Sequence, residues 1–331
     1  MIIKKKNIAF CSLMLGIVFL FGCGKSTVNT KPYESAKDDT NTQIYISIVS
    51  KGWQSQYWQA VKMGVDKAAK KYNVRITFEA PEADAAIIKQ IEMIDSALSK
   101  KPAALVLAAL NSKAVIPEIE KAKSLNIPVI GFDSGVDSNI PVTTVATDNA
   151  SAGRLAADKL ALAIGGKGEI AVICHDAVST TGIGRRDGFL NQVKEKYPKI
   201  KVVEVKYSGG DHEVSKNITE AIIKNYPNIK GIFATNEGSA YGLINGITEK
   251  NKIGKIAIVG FDAGEFQKDA VRNKVMFGAI SQDPIEVGYK AVEAAYKASK
   301  GEKLPIKIDT GYKWYDYTNV DDEDMKTLLY D

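Results

Sequence analysis

Ile127-Pro128-Val129-Ile130-Gly131-Phe132-Asp133 is a nearly unbroken apolar run that stops at an acid. A strand with one wet face alternates apolar and polar residues. A short continuous run instead fits a strand of a parallel sheet covered on both faces. Runs of the same kind stand at 44–49, 74–79 and 104–109. Between them Tyr57, Val61, Val65, Ala68, Ala69 and Tyr72 recur at helical spacing, and so do Ile87, Ile91, Ile94 and Leu98. Strands alternating with helices build a βαβα lobe. A second series follows, with strands expected at 168–174, 200–206, 231–234 and 255–261 and helices near 149–164, 181–196, 212–225 and 237–250. Two lobes also suit a chain of 331 residues that is 45% apolar.

No Gly/Pro/Ser-rich linker separates the two series, and no internal repeat stands out. Val145-Ala146-Thr147 reads as a strand passing straight from one lobe into the other, and residues 276–281 read as the return. Repeated crossings of this kind make a hinge.

Lys4, Lys5 and Lys6 precede 14 apolar-rich residues, 8–21, too few to span a bilayer as a typical helix, so the N-terminus reads as a signal peptide over 1–22. It ends in Leu20-Phe21-Gly22-Cys23, which resembles the lipobox of bacterial lipoproteins, with Cys23 as the residue to be acylated. Residues 23–42 are polar and aperiodic, as a flexible tether would be. The net charge is +5, and the first 22 residues hold three lysines and no acid, which leaves +2 after their removal. That balance, with no basic stripe among aromatics, argues against nucleic acid.

Most chemical motifs fail on inspection. Gly24-Lys25-Ser26 lacks the glycine five positions earlier that a phosphate loop needs, since Phe19 stands there. Gly182, Gly184 and Gly188 have the wrong spacing for a dinucleotide fingerprint. The chain has no G-x-S-x-G, H-E-x-x-H or C-x-x-C, and its two histidines, His175 and His212, read as surface or loop residues. Cys174 ends an apolar run and reads as a buried, inert thiol. No enzyme, cofactor or metal site is expected.

What remains is a constellation at strand ends, where open α/β sheets bind ligands. It comprises Ser50, Trp53, Gln54, Tyr57 and Trp58 after the first strand, and Asp133 with Ser134 after the fourth. The second series adds Arg185, Asn236, Asp262 and Gln282. Carboxylates and a guanidinium can grip neighbouring hydroxyls, and aromatic faces pack on the C–H faces of a sugar ring.

From about residue 43 to 312 the chain resembles the ribose-type periplasmic sugar-binding proteins, whose fold lac-type repressors share. The likeness lies in Ser50 through Trp58 leading to Gly64, in the run 127–133, and in Thr147-Asp148-Asn149. It continues through Gly184-Arg185-Arg186-Asp187-Gly188-Phe189, Phe233-Ala234-Thr235-Asn236-Glu237, Val259-Gly260-Phe261-Asp262 and Ile280-Ser281-Gln282. The resemblance implies a type I periplasmic-binding-protein fold, α/β, with two parallel doubly wound sheets joined by three hinge crossings. The lobes would be 43–146 with 283–310, and 147–282 with 311–331. It also implies that Tyr57 and Trp58 sandwich the sugar ring while Asp133, Arg185, Asn236, Asp262 and Gln282 bond its hydroxyls. Ser134, where ribose binders carry arginine, the lack of an aromatic at Gly209-Gly210, and Trp53 and Gln54 in place of smaller residues make a different pentose, a hexose or another polyol as plausible as ribose. The expectation is a monomeric, lipid-anchored extracytoplasmic protein that hands a monosaccharide to an ABC permease. The alternative is a receptor of the same fold that passes a furanose-like signal or a sugar to a membrane sensor. The signal peptide, standing where a helix-turn-helix would be expected, argues against a transcriptional regulator.

Overall fold

A computed structural model of the protein describes residues 43–82 and 86–330. The signal peptide, the tether and Cys23 lie outside the described residues. In chain order the first lobe contains β1 (Tyr45–Val49), α1 (Gln56–Tyr72), β2 (Arg75–Glu79), α2 (Ile87–Ser99), β3 (Ala104–Leu107), α3 (Ile116–Ser124), β4 (Val129–Phe132) and β5 (Thr143–Ala146). The second contains α4 (Asn149–Ala163), β6 (Gly168–Cys174), α5 (Thr180–Lys196), β7 (Ile200–Tyr207), α6 (His212–Asn225), β8 (Ile229–Ala234), α7 (Glu237–Glu249), β9 (Ala257–Phe261), α8 (Glu265–Arg272) and β10 (Gly278–Gln282). The chain then returns to the first lobe through α9 (Pro284–Ser299) and β11 (Lys307–Asp309), and ends on the second with β12 (Tyr312–Tyr315) and α10 (Glu323–Lys326).

The two six-stranded sheets run β2-β1-β3-β4-β5-β11 and β7-β6-β8-β9-β10-β12, the same winding twice. All pairings are parallel except β12, which runs antiparallel to β10 in the register Ala279↔Tyr315 and Gln282↔Tyr312. This departs from two wholly parallel sheets. β11 ends at Asp309 and the chain turns at Gly311 (φ +76°), so β12 enters the second sheet from its ligand end and runs the opposite way. The chain crosses between sheets after β5, after β10 and after β11. The return crossing is Gln282-Asp283-Pro284, not 276–281, most of which is β10 itself.

Both sheets are buried on both faces, as the unbroken apolar runs require. On β3, Ala104 and Val106 join the core beneath α1 and α9, while Leu105 and Leu107 join the one beneath α2 and α3. In the second lobe Ile170, Val172 and Phe233 face α4 and α5, whereas Ala171, Ile173 and Ile232 face α6 and α7. Each fully buried branched or aromatic side chain contributes about 1.5–3 kcal/mol.

Helices α1 and α9 touch backbone to backbone. A Cβ on Gly64 would lie 1.9 Å from the Ile285 carbonyl oxygen, and one on Gly288 would lie 2.0 Å from that of Val61, so no larger residue fits at either place. Ser55, Asp148, Ser179, Asp211, Asn236 and Asp283 each cap a helix by accepting a backbone N–H three residues on. No helix among the described residues is long and apolar enough to cross a membrane.

Candidate functional site

The carboxyl ends of the two sheets face one cleft of about 830 Å³. Tyr57, Trp58 and Asp133 line it from the first lobe, and Arg185, Asn236, Asp262 and Gln282 from the second. Seven of the residues singled out in the sequence thus meet at one place.

Two aspartates occupy equivalent positions in the two sheets. Asp133 follows Gly131-Phe132 at the end of β4, and Asp262 follows Gly260-Phe261 at the end of β9. Both backbones are left-handed, with φ +54° and +75°, a conformation that Asp and Asn tolerate better than other non-glycine residues. Both are pinned by the adjacent strand: Asp133 N–H donates to the Val145 carbonyl at 2.8 Å and Asp262 N–H to that of Ile280 at 2.7 Å. The left-handed turn ends each strand and directs the carboxylate into the cleft.

Tyr57 Oη donates to Asp133 Oδ1 at 2.7 Å. Burial, followed by the Asp133 carboxylate, pushes the phenol well above its usual value, so it remains a donor. Asp133 is 5% exposed and has no cation within ion-pair distance among the described residues. Asp262 accepts from Gln282 Nε2 at 2.8 Å and from the Glu237 N–H at 3.0 Å, with Arg185 Nη1 4.0 Å away. Burial raises its carboxyl above the ordinary value against the opposing pull of Arg185. The carbonyl of Asp262 accepts the Tyr315 hydroxyl at 2.8 Å, and the next N–H donates to Tyr330 Oη, so the C-terminal segment fixes this turn.

Arg185 lies in the second turn of α5, not at a strand end as the sequence suggested. Nε donates to Asn149 Oδ1 and Nη1 to the Thr235 carbonyl, both at 2.8 Å, and the guanidinium lies 3.7 Å from the centre of the Phe261 ring. Two of its five donors are taken, which leaves the others for a ligand. Asn236 uses Oδ1 to accept the Ser239 N–H as the α7 cap, so its amide N–H₂ is the part left to a ligand.

Other expectations need correction. Tyr57 and Trp58 are neighbours on α1 whose rings meet edge to face, 5.2 Å apart at 80°, and Trp58 also abuts Phe132 at 76°. Two such rings cannot sandwich a sugar from opposite faces. Ser50 is turned inward, donating to the Gly52 carbonyl, and Ser134 bonds Thr180 across the lobes; neither lines the cleft. Trp53 and Gln54 stand on its rim, Trp53 58% exposed.

His175 is not a surface residue. It follows β6, is buried, and bonds Thr235 Oγ1 through Nδ1 at 2.8 Å and Thr181 Oγ1 through Nε2 at 3.2 Å. Burial holds the imidazole down to about 3, so it acts as a neutral hydrogen-bonding group and not as a base. Lys51, Thr181 and Glu237 also line the cleft and were missed. His175 sits directly after an expected strand, so the strand-end rule could have found it. Cys174 is buried, and burial pushes its thiol up to about 12, which keeps it inert.

Several bonds span the cleft. Lys51 Nζ reaches Thr181 Oγ1 at 3.3 Å and Asp176 Oδ2 at 3.8 Å, Ser112 N–H donates to the Val178 carbonyl at 3.1 Å, and Gly135 N–H donates to Thr180 Oγ1 at 2.8 Å. Glu237 accepts from the N–H groups of Gln56 and Tyr57. The lobes are closed on one another.

Residues 46–303 match the model of the periplasmic binding protein domain. The sequence is 24% identical to the ribose import binding protein RbsB of Bacillus subtilis, over 77% of this chain and 83% of that one. The structure is similar to a carbohydrate transporter solute-binding protein of Agrobacterium radiobacter in complex with D-arabinose, at TM-score 0.85 and 34% identity, over 88% of this chain and all of the other. A solute-binding protein of Agrobacterium vitis with bound D-fucose is similar at TM-score 0.84 and 32% identity, over 86% of this chain and all of that one.

Proposed function

The chain belongs to the periplasmic binding protein family, and from that premise we propose that it captures a monosaccharide outside the cytoplasm and delivers it to a sugar ABC importer. The observation that carries this reading is the pair Asp133 and Asp262, one from each lobe, both turned by left-handed backbone into the same cleft. A sugar hydroxyl donates and accepts at once, so it needs acceptor and donor side by side. Asp133 and the Tyr57 oxygen, whose proton goes to Asp133, supply acceptors on one lobe, and Asp262 with Arg185 and Gln282 supplies acceptor and donor on the other. Asn236 adds the donors of its amide N–H₂, and the edge of the Tyr57–Trp58 pair gives an apolar wall for ring C–H groups. The charges argue against an anionic ligand, because Lys51 already faces Asp176 and Arg185 already faces Asp262.

Since the ligand touches groups of both lobes, the closed form gains contacts that the open form lacks, and binding drives closure. The hinge would separate 43–146 with 283–310 from 147–282 with 311–331. Anchoring through an acylated Cys23 and a monomeric state complete the proposal, supported by the lipobox-like Leu20-Phe21-Gly22-Cys23.

A thermal-shift screen with pentoses, hexoses and their polyols tests the reading. At 100 times its dissociation constant a true ligand adds about 2.7 kcal/mol of stability. The expected result is a clear rise for at least one sugar together with a smaller radius of gyration in solution. No shift with any of them, or binding without compaction, overturns it.

A further inference from the structure

The cleft is larger than one sugar ring. Its 830 Å³ lies in the upper part of the roughly 300–1,000 Å³ that holds drug-sized ligands. A wall of aromatic rings lines the same cleft. His212 at the start of α6 stacks on Tyr241 of α7, centroids 4.2 Å apart at 14°, and Tyr241 meets Phe266 of α8 at 4.2 Å and 31°. All three line the cleft rather than a core, Phe266 is 37% exposed, and Val214 beside them is 44% exposed. Trp53 lines the same cleft from the other lobe.

Exposed apolar side chains scattered singly carry no message, but a cluster gathered in one concavity marks a binding surface. Gly209 and Gly210 line the same cleft. Both have left-handed backbones and carry no side chain, and a Cβ on Gly209 would meet nothing within 4 Å. Asp211 and Glu213 flank His212, with Lys216 3.7 Å from Glu213, and Glu82 also lines the cleft, while Lys51 and Arg185 are held by Asp176, Thr181, Asn149 and Thr235.

We infer that the cleft carries an outer subsite, built by the stacked rings of His212, Tyr241 and Phe266 and flanked by Trp53, that receives an uncharged second ring attached to the captured sugar. The ligand class then extends from a free monosaccharide to glycosides and disaccharides. Aromatic faces pack on a second sugar ring or on an apolar aglycone, and the acidic surround repels phosphorylated or uronic substituents. This inference rests on the reading that the polar chamber holds a sugar.

Calorimetric titration with D-ribose, D-arabinose, D-xylose, D-glucose and D-galactose identifies the tightest sugar, and both anomers of its methyl and phenyl glycosides are then compared. The phenyl glycoside of one anomer is expected to bind at least tenfold tighter than its methyl counterpart. In Tyr241→Ala that ratio should fall below threefold while the parent sugar's constant moves less than threefold. Trp53→Ala, on an exposed rim position where folding is not at stake, should lower the same ratio. A phenyl-to-methyl ratio at or below one for both anomers, or a ratio unchanged in both variants, overturns the subsite while leaving the sugar reading intact. Absence of heat with all five sugars and all glycosides overturns both.

Discussion

Oε2 of Glu237, on the second lobe, accepts the backbone N–H of Tyr57, on the first, at 3.3 Å. Its Oε1 accepts that of Gln56 at 3.2 Å, so one carboxylate holds two free N–H groups of the first turn of α1. The reverse contact also exists. Gln56 Oε1 accepts the Glu265 N–H at 2.6 Å, at the start of α8, whose own cap residue is Gly264 and has no side chain to do so. Each lobe therefore caps a helix of the other, and the three N–H groups can be satisfied in this way only when the cleft is shut.

Closure should depend on pH through this contact. Burial, followed by repulsion from Asp262, pushes the Glu237 carboxyl up to about 7, although the N–H groups of Gln56 and Tyr57 and the Tyr330 hydroxyl pull the other way. In the open form the group is solvated and titrates near the ordinary carboxylate value of about 4.3. A pKa raised in the closed form means that closing takes up a proton. The contribution is complete below the open-form value and is lost as pH rises through 7. Sugar affinity measured by calorimetry should therefore fall by about ten- to a hundredfold between pH 5 and pH 8. Glu237→Gln should flatten that profile, and His175, held down to about 3, cannot supply it. A parent profile that is flat, or one that the substitution leaves unchanged, refutes the linkage.

The twin aspartates predict separable effects on binding and stability. Asn is the one substitution that keeps both the left-handed backbone and the side-chain shape, whereas Ala would add strain at φ +54° or +75°. Asp133→Asn and Asp262→Asn should each weaken sugar binding at least tenfold by replacing an acceptor of two hydroxyls with a mixed group. Because burial disfavours the Asp262 charge, Asp262→Asn should leave the melting temperature of the sugar-free protein unchanged or higher. Loss of stability without loss of affinity in both variants would place the sugar elsewhere.

Arg185 behaves differently from what its sequence context suggested. Its position in α5, bonded to Asn149 and to the Thr235 carbonyl beneath Phe261, makes it part of the second lobe's structure as well as its binding surface. Arg185→Ala leaves those acceptors unpaired and should cost about 1–3 kcal/mol of stability in addition to at least a hundredfold in affinity. Chemical unfolding beside calorimetry measures both, and a variant as stable as the parent would show that the bonds contribute little.

The contrast shows what the sequence can and cannot convey. The alternation of apolar runs with helical spacing locates β1 to β4 and β6 to β9 because a two-faced parallel strand leaves a strong local mark. β11 and β12 escaped notice: they are three- and four-residue edge strands whose residues, Tyr315 apart, are exposed or half-buried and leave no such mark. Asp133 and Asp262 were legible because each ends an apolar run. Lys51 and Glu237 were not, since each acts through a partner more than a hundred residues away, and no local pattern encodes which residues meet when two lobes close. The Tyr57–Trp58 pair misled for the opposite reason: two adjacent aromatics read as two walls, but adjacency on one helix forces them edge to face.

Membrane attachment is testable apart from the fold. If Cys23 is acylated after removal of residues 1–22, Cys23→Ala should move the protein from the membrane to the soluble fraction or leave it longer by the signal peptide. Identical mass and identical partition of variant and parent would end the lipoprotein proposal, without touching the cleft.

Gly264→Ala offers the sharpest test of the reciprocal capping. Gly264 has φ −57° and ψ 152°, a conformation open to any residue, so alanine brings no backbone strain and slightly restricts the unfolded chain. A Cβ there would lie 2.9 Å from Glu237 Cδ, 3.1 Å from its Oε1 and 3.2 Å from Gln56 Oε1. Of these atoms, Gln56 belongs to the opposite lobe, and Glu237 is held in place by bonds to it. The added methyl therefore opposes closure and leaves the open form alone. The expected outcome is an unchanged or slightly raised melting temperature without sugar, and about a tenfold weaker affinity, equivalent to about 1.4 kcal/mol. Scattering should show a larger radius of gyration at a fixed subsaturating sugar concentration, because less of the protein is shut. Affinity and compaction equal to the parent's would mean that the Gln56–Glu237–Glu265 contacts are incidental to closure, and the weight would shift to Lys51, Ser112 and Thr180 on the other bonds that span the cleft.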